Sequence, residues 1–121
     1  MSYRGDIGKR GEELAAEYLT KNGYTVTARN TRVSHDEIDM IAEDDGHIVF
    51  VEVKLRKSGS FAQAHEFVDR FKQDRLRTTA QMYLSQNPTK LQPRFDVIEI
   101  YAPEGVATEN PEYHHMEDAF E

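Results

Sequence analysis

The 121 residues predict an α/β fold, a mixed β-sheet flanked by helices in the order α-β-β-β-α-β. Three observations carry this expectation. Apolar residues recur at helical spacing in residues 7–22 and again in residues 62–86. Between them lie three segments rich in β-branched residues, the last two joined by Asp44-Asp45-Gly46, a tight-turn signal. A fourth strand-like segment, FDVIEIY, follows only after the second helical stretch. A hairpin, then a helical crossover, then another strand gives a mixed sheet with helices on its faces.

In the first helix, Ile7, Gly11, Leu14, Ala15, Tyr18 and Leu19 form the apolar stripe. Asp6 is the candidate N-cap, and Gly23 stands at the stop position. Tyr24 to Arg32 reads as the first strand and Glu37 to Glu43 as the second. His47 to Leu55 is the third and the most apolar. Lys57-Ser58-Gly59-Ser60 reads as a loop. The second helical stretch, one long helix or two short ones, stops before Pro88, and Val68, Lys72, Leu76, Ala80 and Tyr83 share one stripe. Phe95 to Tyr101 is the fourth strand, and the segment after Pro103 reads as loop with a final turn at MEDAF.

Composition narrows the function. The chain has no cysteine, so disulfide frameworks and thiolate metal sites are excluded, and a reducing cytoplasm is expected. The N-terminal residues lack the apolar core of a signal peptide, and no run approaches the length of a membrane span. The formal charge is −7, which by itself argues against nucleic-acid binding. All 15 Lys and Arg, however, lie between Arg4 and Arg94, and seven of the 22 acids lie from Glu99 onward. The first 98 residues are therefore balanced, and a balanced body can present a basic face. Candidate basic clusters are Arg29 with Arg32, Arg56 with Lys57, and Arg70, Lys72, Arg75 and Arg77.

The chemistry concentrates in DEIDMIA and VFVEVKLR. Alternation along the third strand sets Ile48, Phe50, Glu52 and Lys54 on one face. A hairpin turning at residues 44–46 brings Asp39 opposite residues 50–52. Charges in so apolar a strand are normally paired or bound to metal. Two converging carboxylates repel unless a cation bridges them, and hard divalent ions take carboxylate oxygens. Lys54 then has a role in orienting a water or neutralising phosphate charge. The same three residues also compose a structural ion-pair network, and their spacing does not decide between the two. Glu12 falls on the inward phase of the first helix, where it either favours the helix dipole or reaches the site. Lys72 interrupts the apolar stripe of the second helix, either snorkelling to water or meeting an anionic substrate. His114 and His115 read as structural, and Asp96 either as structural or as a neighbour of the site.

These motifs resemble a family. GKRGEELAAEYL, the EID motif, VFVEVKLR, Val68 with Lys72 and Leu76, RFDVIEI and HHMEDAF are together similar to the small bacterial YraN-type proteins, a group of the PD-(D/E)XK nuclease superfamily that itself resembles archaeal Holliday-junction resolvases. The family pattern carries a Gly where this chain has Asp36. The resemblance implies a restriction endonuclease-like core over residues 1–102, with residues 103–121 as an acidic C-terminal tail. It implies Mg²⁺-dependent phosphodiester hydrolysis, with Mn²⁺ able to substitute. Asp39 and Glu52 would be metal ligands, Glu12 an auxiliary ligand and Lys54 the catalytic lysine. Lys72 falls on a family position, and Arg56 and Arg75 join it as candidate substrate contacts. The expected partner is nucleic acid, DNA above all, in branched or damaged form, in repair or recombination. Cutting two strands would call for a homodimer. The alternative is a non-catalytic nucleic-acid-binding or protein-interaction module on the same fold.

Overall fold

The structure, a computed structural model, describes residues 3–56, 70–104 and 107–120, with side chains from Arg10 onward. The 57–60 loop, the first part of the second helical stretch with Val68, and the side chains of Asp6 and Ile7 lie outside what is described. Helix α1 spans Tyr3–Lys21, followed by β1 (Thr25–Val33), β2 (Asp36–Glu43) and β3 (His47–Arg56). Helix α2 (Arg70–Gln86) leads to β4 (Gln92–Tyr101) and β5 (Glu112–Met116). The element order is thus α-β-β-β-α-β-β. The four expected strands stand within a few residues of their sequence bounds. Two readings are corrected. Helix α1 starts before Asp6, which therefore cannot cap it. Residues 112–116, read as loop, form a fifth strand.

The sheet order is β1-β2-β3-β4-β5. β1, β2 and β3 are antiparallel neighbours, β3 and β4 are parallel, and β5 closes antiparallel on β4. The parallel pair is central, so its strands are buried on both faces and read as nearly unbroken apolar runs. Among the described residues, each face carries one helix. On one side Leu14, Ala15, Ala16 and Leu19 of α1 pack on Met40, Ala42, Val49, Val51, Ile98 and Ile100. On the other, Ala80, Tyr83 and Leu84 of α2 pack with Ile41, Ile48 and Phe50, while Leu76 packs with Val97. The alternation expected for β3 is therefore the alternation found: even residues face α2 and odd residues face α1.

The turns have local causes. Gly23 ends α1 at φ +91°, a conformation that glycine adopts without a Cβ penalty. Asp44 Oδ1 accepts the Gly46 and His47 backbone N–H groups at 2.9 and 2.8 Å, which fixes the β2–β3 turn. Among the described residues, no helix is long and apolar enough to cross a membrane.

Candidate active site

The β2–β3 ladder runs from Glu43↔Ile48 to Met40↔Val51. The β3–β4 ladder continues to Arg56↔Tyr101. Past Val51, β3 thus keeps a paired neighbour on one side only, and the other side opens at its carboxyl end. Ligands in open α/β sheets bind beyond the carboxyl ends of strands. The next residues on the two parting strands are Asp39 and Glu52. Asp39 Oδ2 accepts the Val53 backbone N–H at 2.9 Å, so a carboxylate stands in for the missing ladder partner.

Glu52 is 7 % exposed. Lys72 of α2 donates a hydrogen bond to its Oε1, and Lys54 Nζ lies 3.4 Å from the same atom. Burial, and then the negative charge of Glu52 beside it, pushes the Asp39 carboxyl up to about 6. The Val53 N–H and the Lys72 charge pull the other way without reversing the shift. For Lys72, burial works against the charge, but the hydrogen bond and charge of Glu52 outweigh it and hold the ammonium above its ordinary value. Asp36, Asp39, Glu52, Phe71, Lys72 and Arg75 line a cleft of about 390 Å³ between the sheet and α2. Arg75 pairs with Asp36 and lies over the Phe71 ring, 5.8 Å from its centroid. Phe71 is 72 % exposed at the cleft.

The structure therefore gathers Asp39, Glu52, Lys54, Lys72 and Arg75. Two other candidates stand apart. Glu12 faces β1, where Asn30 Nδ2 donates to its Oε2 at 2.5 Å. Asn30 lies between the pairs Arg29↔Met40 and Thr31↔Ile38, so it holds the position facing Asp39, with φ +47°. Asn tolerates that left-handed conformation better than most residues. Glu12 is thus held by Asn30 on the α1 side of the sheet and does not join the carboxylate pair in the α2-side cleft. Arg56 turns to the buried Glu99 of β4, its Nε 3.2 Å from Glu99 Oε1, on the same sheet face but further along the strands. Asp96, fully buried, sits in register with Val51 among the α1-facing residues, as a structural acid. His115 Nε2 lies 2.6 Å from Asp96 Oδ2, so this histidine too is structural.

Sequence reasoning missed Asp36, Phe71 and Glu99. Glu99 had a signal: it interrupts the alternation of Phe95, Val97 and Tyr101, as Glu52 interrupts that of β3. It belongs to β4 and to the core, not to the acidic tail. In the sequence Asp36 stands out only as a replaced glycine; its partner comes from α2, 39 residues away.

The donor set suits a hard cation. Mg²⁺ is usually held by one or two carboxylates, with water and substrate phosphate completing its shell. Among the described residues, no three His, Cys, Asp or Glu side chains group closely enough to hold a metal by themselves. Asp39 and Glu52 would be its protein ligands, and the shell would depend on substrate.

Fold and site together define an α/β protein with a restriction endonuclease-like core and a carboxylate–lysine cleft at the open end of its sheet. The chain belongs to the uncharacterised protein family UPF0102, the YraN-type family, which it matches over residues 11–100. A UPF0102 protein of Caldanaerobacter subterraneus subsp. tengcongensis is 43 % identical over 116 residues, 94 % of this chain and 93 % of that one. Another, from Symbiobacterium thermophilum, is 45 % identical over 95 residues, 78 % of this chain and 80 % of its own. One from Syntrophomonas wolfei is 39 % identical over 116 residues, 95 % and 97 % of the two chains.

Proposed function

We propose that this protein is a metal-dependent nuclease that hydrolyses phosphodiester bonds in DNA, in branched or damaged form. The observation that supports it most is the pair of side-by-side carboxylates, Asp39 and Glu52, at the parting of two strands, with lysines beside them in an open cleft. A charged pair at that depth is costly unless it serves a cation or a network. A bound Mg²⁺ or Mn²⁺ would polarise the phosphate and lower the pKa of a water. The chain's own residues supply the rest. Asp39 and Glu52 hold the ion, Lys54 neutralises charge developing on the phosphate, and Arg75 with Lys72 grips neighbouring phosphates. A role in repair or recombination, in the cytoplasm, follows from branched DNA as substrate. A homodimer would supply the second cut.

The test is cleavage of duplex, flap and junction DNAs by purified protein in Mg²⁺ or Mn²⁺. Asp39→Ala and Glu52→Ala should each reduce cleavage at least 100-fold. Cleavage that survives both changes would place the chemistry elsewhere. A second reading, a non-catalytic nucleic-acid-binding module, is favoured by one observation: Glu52 already takes both lysines, so the site is neutralised internally. Salt-sensitive binding without cleavage in either metal would select it.

A further inference from the structure

Asp39, Glu52, Lys54 and Lys72 carry two negative and two positive formal charges. The pair is thus balanced before any metal arrives. A divalent ion between the carboxylates would add two charges to a balanced site and stand against two ammonium groups. At least one ammonium must then give way. The two lysines are not equivalent. Lys54 is anchored in β3, its residue paired in the ladder with Glu99, and it lies 3.4 Å from Glu52 without a hydrogen bond. Lys72 reaches over from α2, hydrogen-bonds Glu52 Oε1, feels the Asp39 charge, and lines the open cleft with its side chain 39 % exposed. A long, partly solvated stem can swing without moving the backbone.

We infer that Lys72 is the resident counter-cation of this site: it occupies the carboxylate pair in the metal-free protein, leaves Glu52 when a divalent ion binds, and then turns its ammonium into the cleft toward the substrate phosphate. Metal entry and phosphate capture are thereby coupled through one side chain. The carboxylate pair is kept neutral between turnovers, and metal affinity is held low until phosphate is present to receive the released lysine. This rests on the metal-centre reading above.

The experiment measures Mn²⁺ binding to the full chain directly, from the paramagnetic signal of the free ion, without DNA. Lys72→Met and Lys72→Gln remove the competing charge while keeping the stem, and circular dichroism checks that each is folded. Both should bind Mn²⁺ at least tenfold more tightly than the wild type, with Lys54→Met gaining less than threefold and Asp39→Asn losing the site. With Ca²⁺ present, DNA binding by the wild type should strengthen more than that of Lys72→Met. If Asp39-dependent binding is present but the Lys72 variants match or fall below the wild type, or Lys54→Met gains as much, the counter-cation role is wrong and the metal centre stands. If no chain shows Asp39-dependent Mn²⁺ binding, the metal-centre reading fails and this inference with it.

Discussion

At the scale of single residues, Asp39 carries a cost that its neighbours do not remove. Its carboxyl is raised from 3.8 to about 6 by burial and by Glu52. Between those values the unfolded chain releases a proton that the folded protein keeps. Stability from this group is therefore greatest below about pH 4 and falls as pH rises through 6. Two units correspond to roughly 3 kcal/mol, and sharing of the proton with Glu52 brings the expectation to about 1–3 kcal/mol. Asp39→Asn, whose amide oxygen can still accept the Val53 N–H, should be more stable than the wild type by that amount at pH 8 in EDTA, and equal to it near pH 4. Urea melts at the two pH values check this; a variant less stable at pH 8 would contradict it. Arg56 and Arg75 give a second contrast. Arg56 meets a buried carboxylate, and removing one partner of such a pair costs about 3–5 kcal/mol, which partial exposure reduces to about 1–3. Arg75 is more than half exposed, and Arg75→Ala should cost under ~1 kcal/mol while weakening DNA binding. Losses of stability as small in Arg56→Ala as in Arg75→Ala would show that Arg56 is not structural. The Asp39, Glu52 and Lys54 set was legible because period-2 alternation and one turn fix the face of every side chain. Glu12 was not, because helical phase points a residue at the sheet without saying which strand receives it.

At the scale of elements, β5 shows what local pattern leaves out. Its sequence, EYHHM, has no apolar alternation, and the segment became a strand through distant partners. Tyr113 stacks on Tyr18 at 4.9 Å, and His115 meets Asp96. The Asp118 N–H donates to Asp96 Oδ1 at 3.0 Å just past the strand. Asp96 also holds Arg94 through two hydrogen bonds of 2.9 and 2.8 Å. Burial raises its carboxyl, but hydrogen bonds from His115, Arg94 and Asp118 outweigh that and leave it below its ordinary value. Its contribution is therefore present above about pH 4 and lost as pH falls through the lower, folded value. Asp96→Asn should cost about 2–4 kcal/mol by taking the nearest carboxylate from a nearly buried guanidinium, to which Asp44 and Glu117 remain only at 4.0 Å. It should also speed amide exchange first in residues 112–118. Exchange that rises uniformly over the sheet instead would mean that β5 is not held by this acid. The helices and inner strands were readable because their own residues carry the period; β5 borrows its structure from β4 and α1.

At the scale of the whole molecule, the C-terminal segment is part of the sheet as well as a carrier of charge. Met116 packs with Val97, Phe120 stacks on Phe95 at 5.2 Å, and the Ala119 N–H donates to the Phe95 carbonyl at 2.8 Å. The uneven charge seen in the sequence mixes two things. Glu99 is a core residue, whereas Glu104 and Glu109 are exposed and free to shape the field around the protein. Removing the segment as a block would confound these roles. Truncation after residue 102 strips the edge from β4, exposes Val97 and Phe95, and removes both His115 and Asp118 from Asp96. An exposed apolar strand edge is also a template for aggregation. The truncated chain should lose its cooperative urea transition, or show a midpoint stability lower by more than about 4 kcal/mol. Glu104→Gln with Glu109→Gln, by contrast, should leave the melt within about 0.5 kcal/mol, because surface changes away from packed groups rarely do more. If the charge of this segment repels DNA, the same double change should raise affinity for duplex DNA at low salt, and the gain should fade as salt screens it. A truncated chain that melts like the wild type would show that β5 adds nothing to the sheet. An affinity gain that persists at high salt would show that these two glutamates act by contact and not through the field.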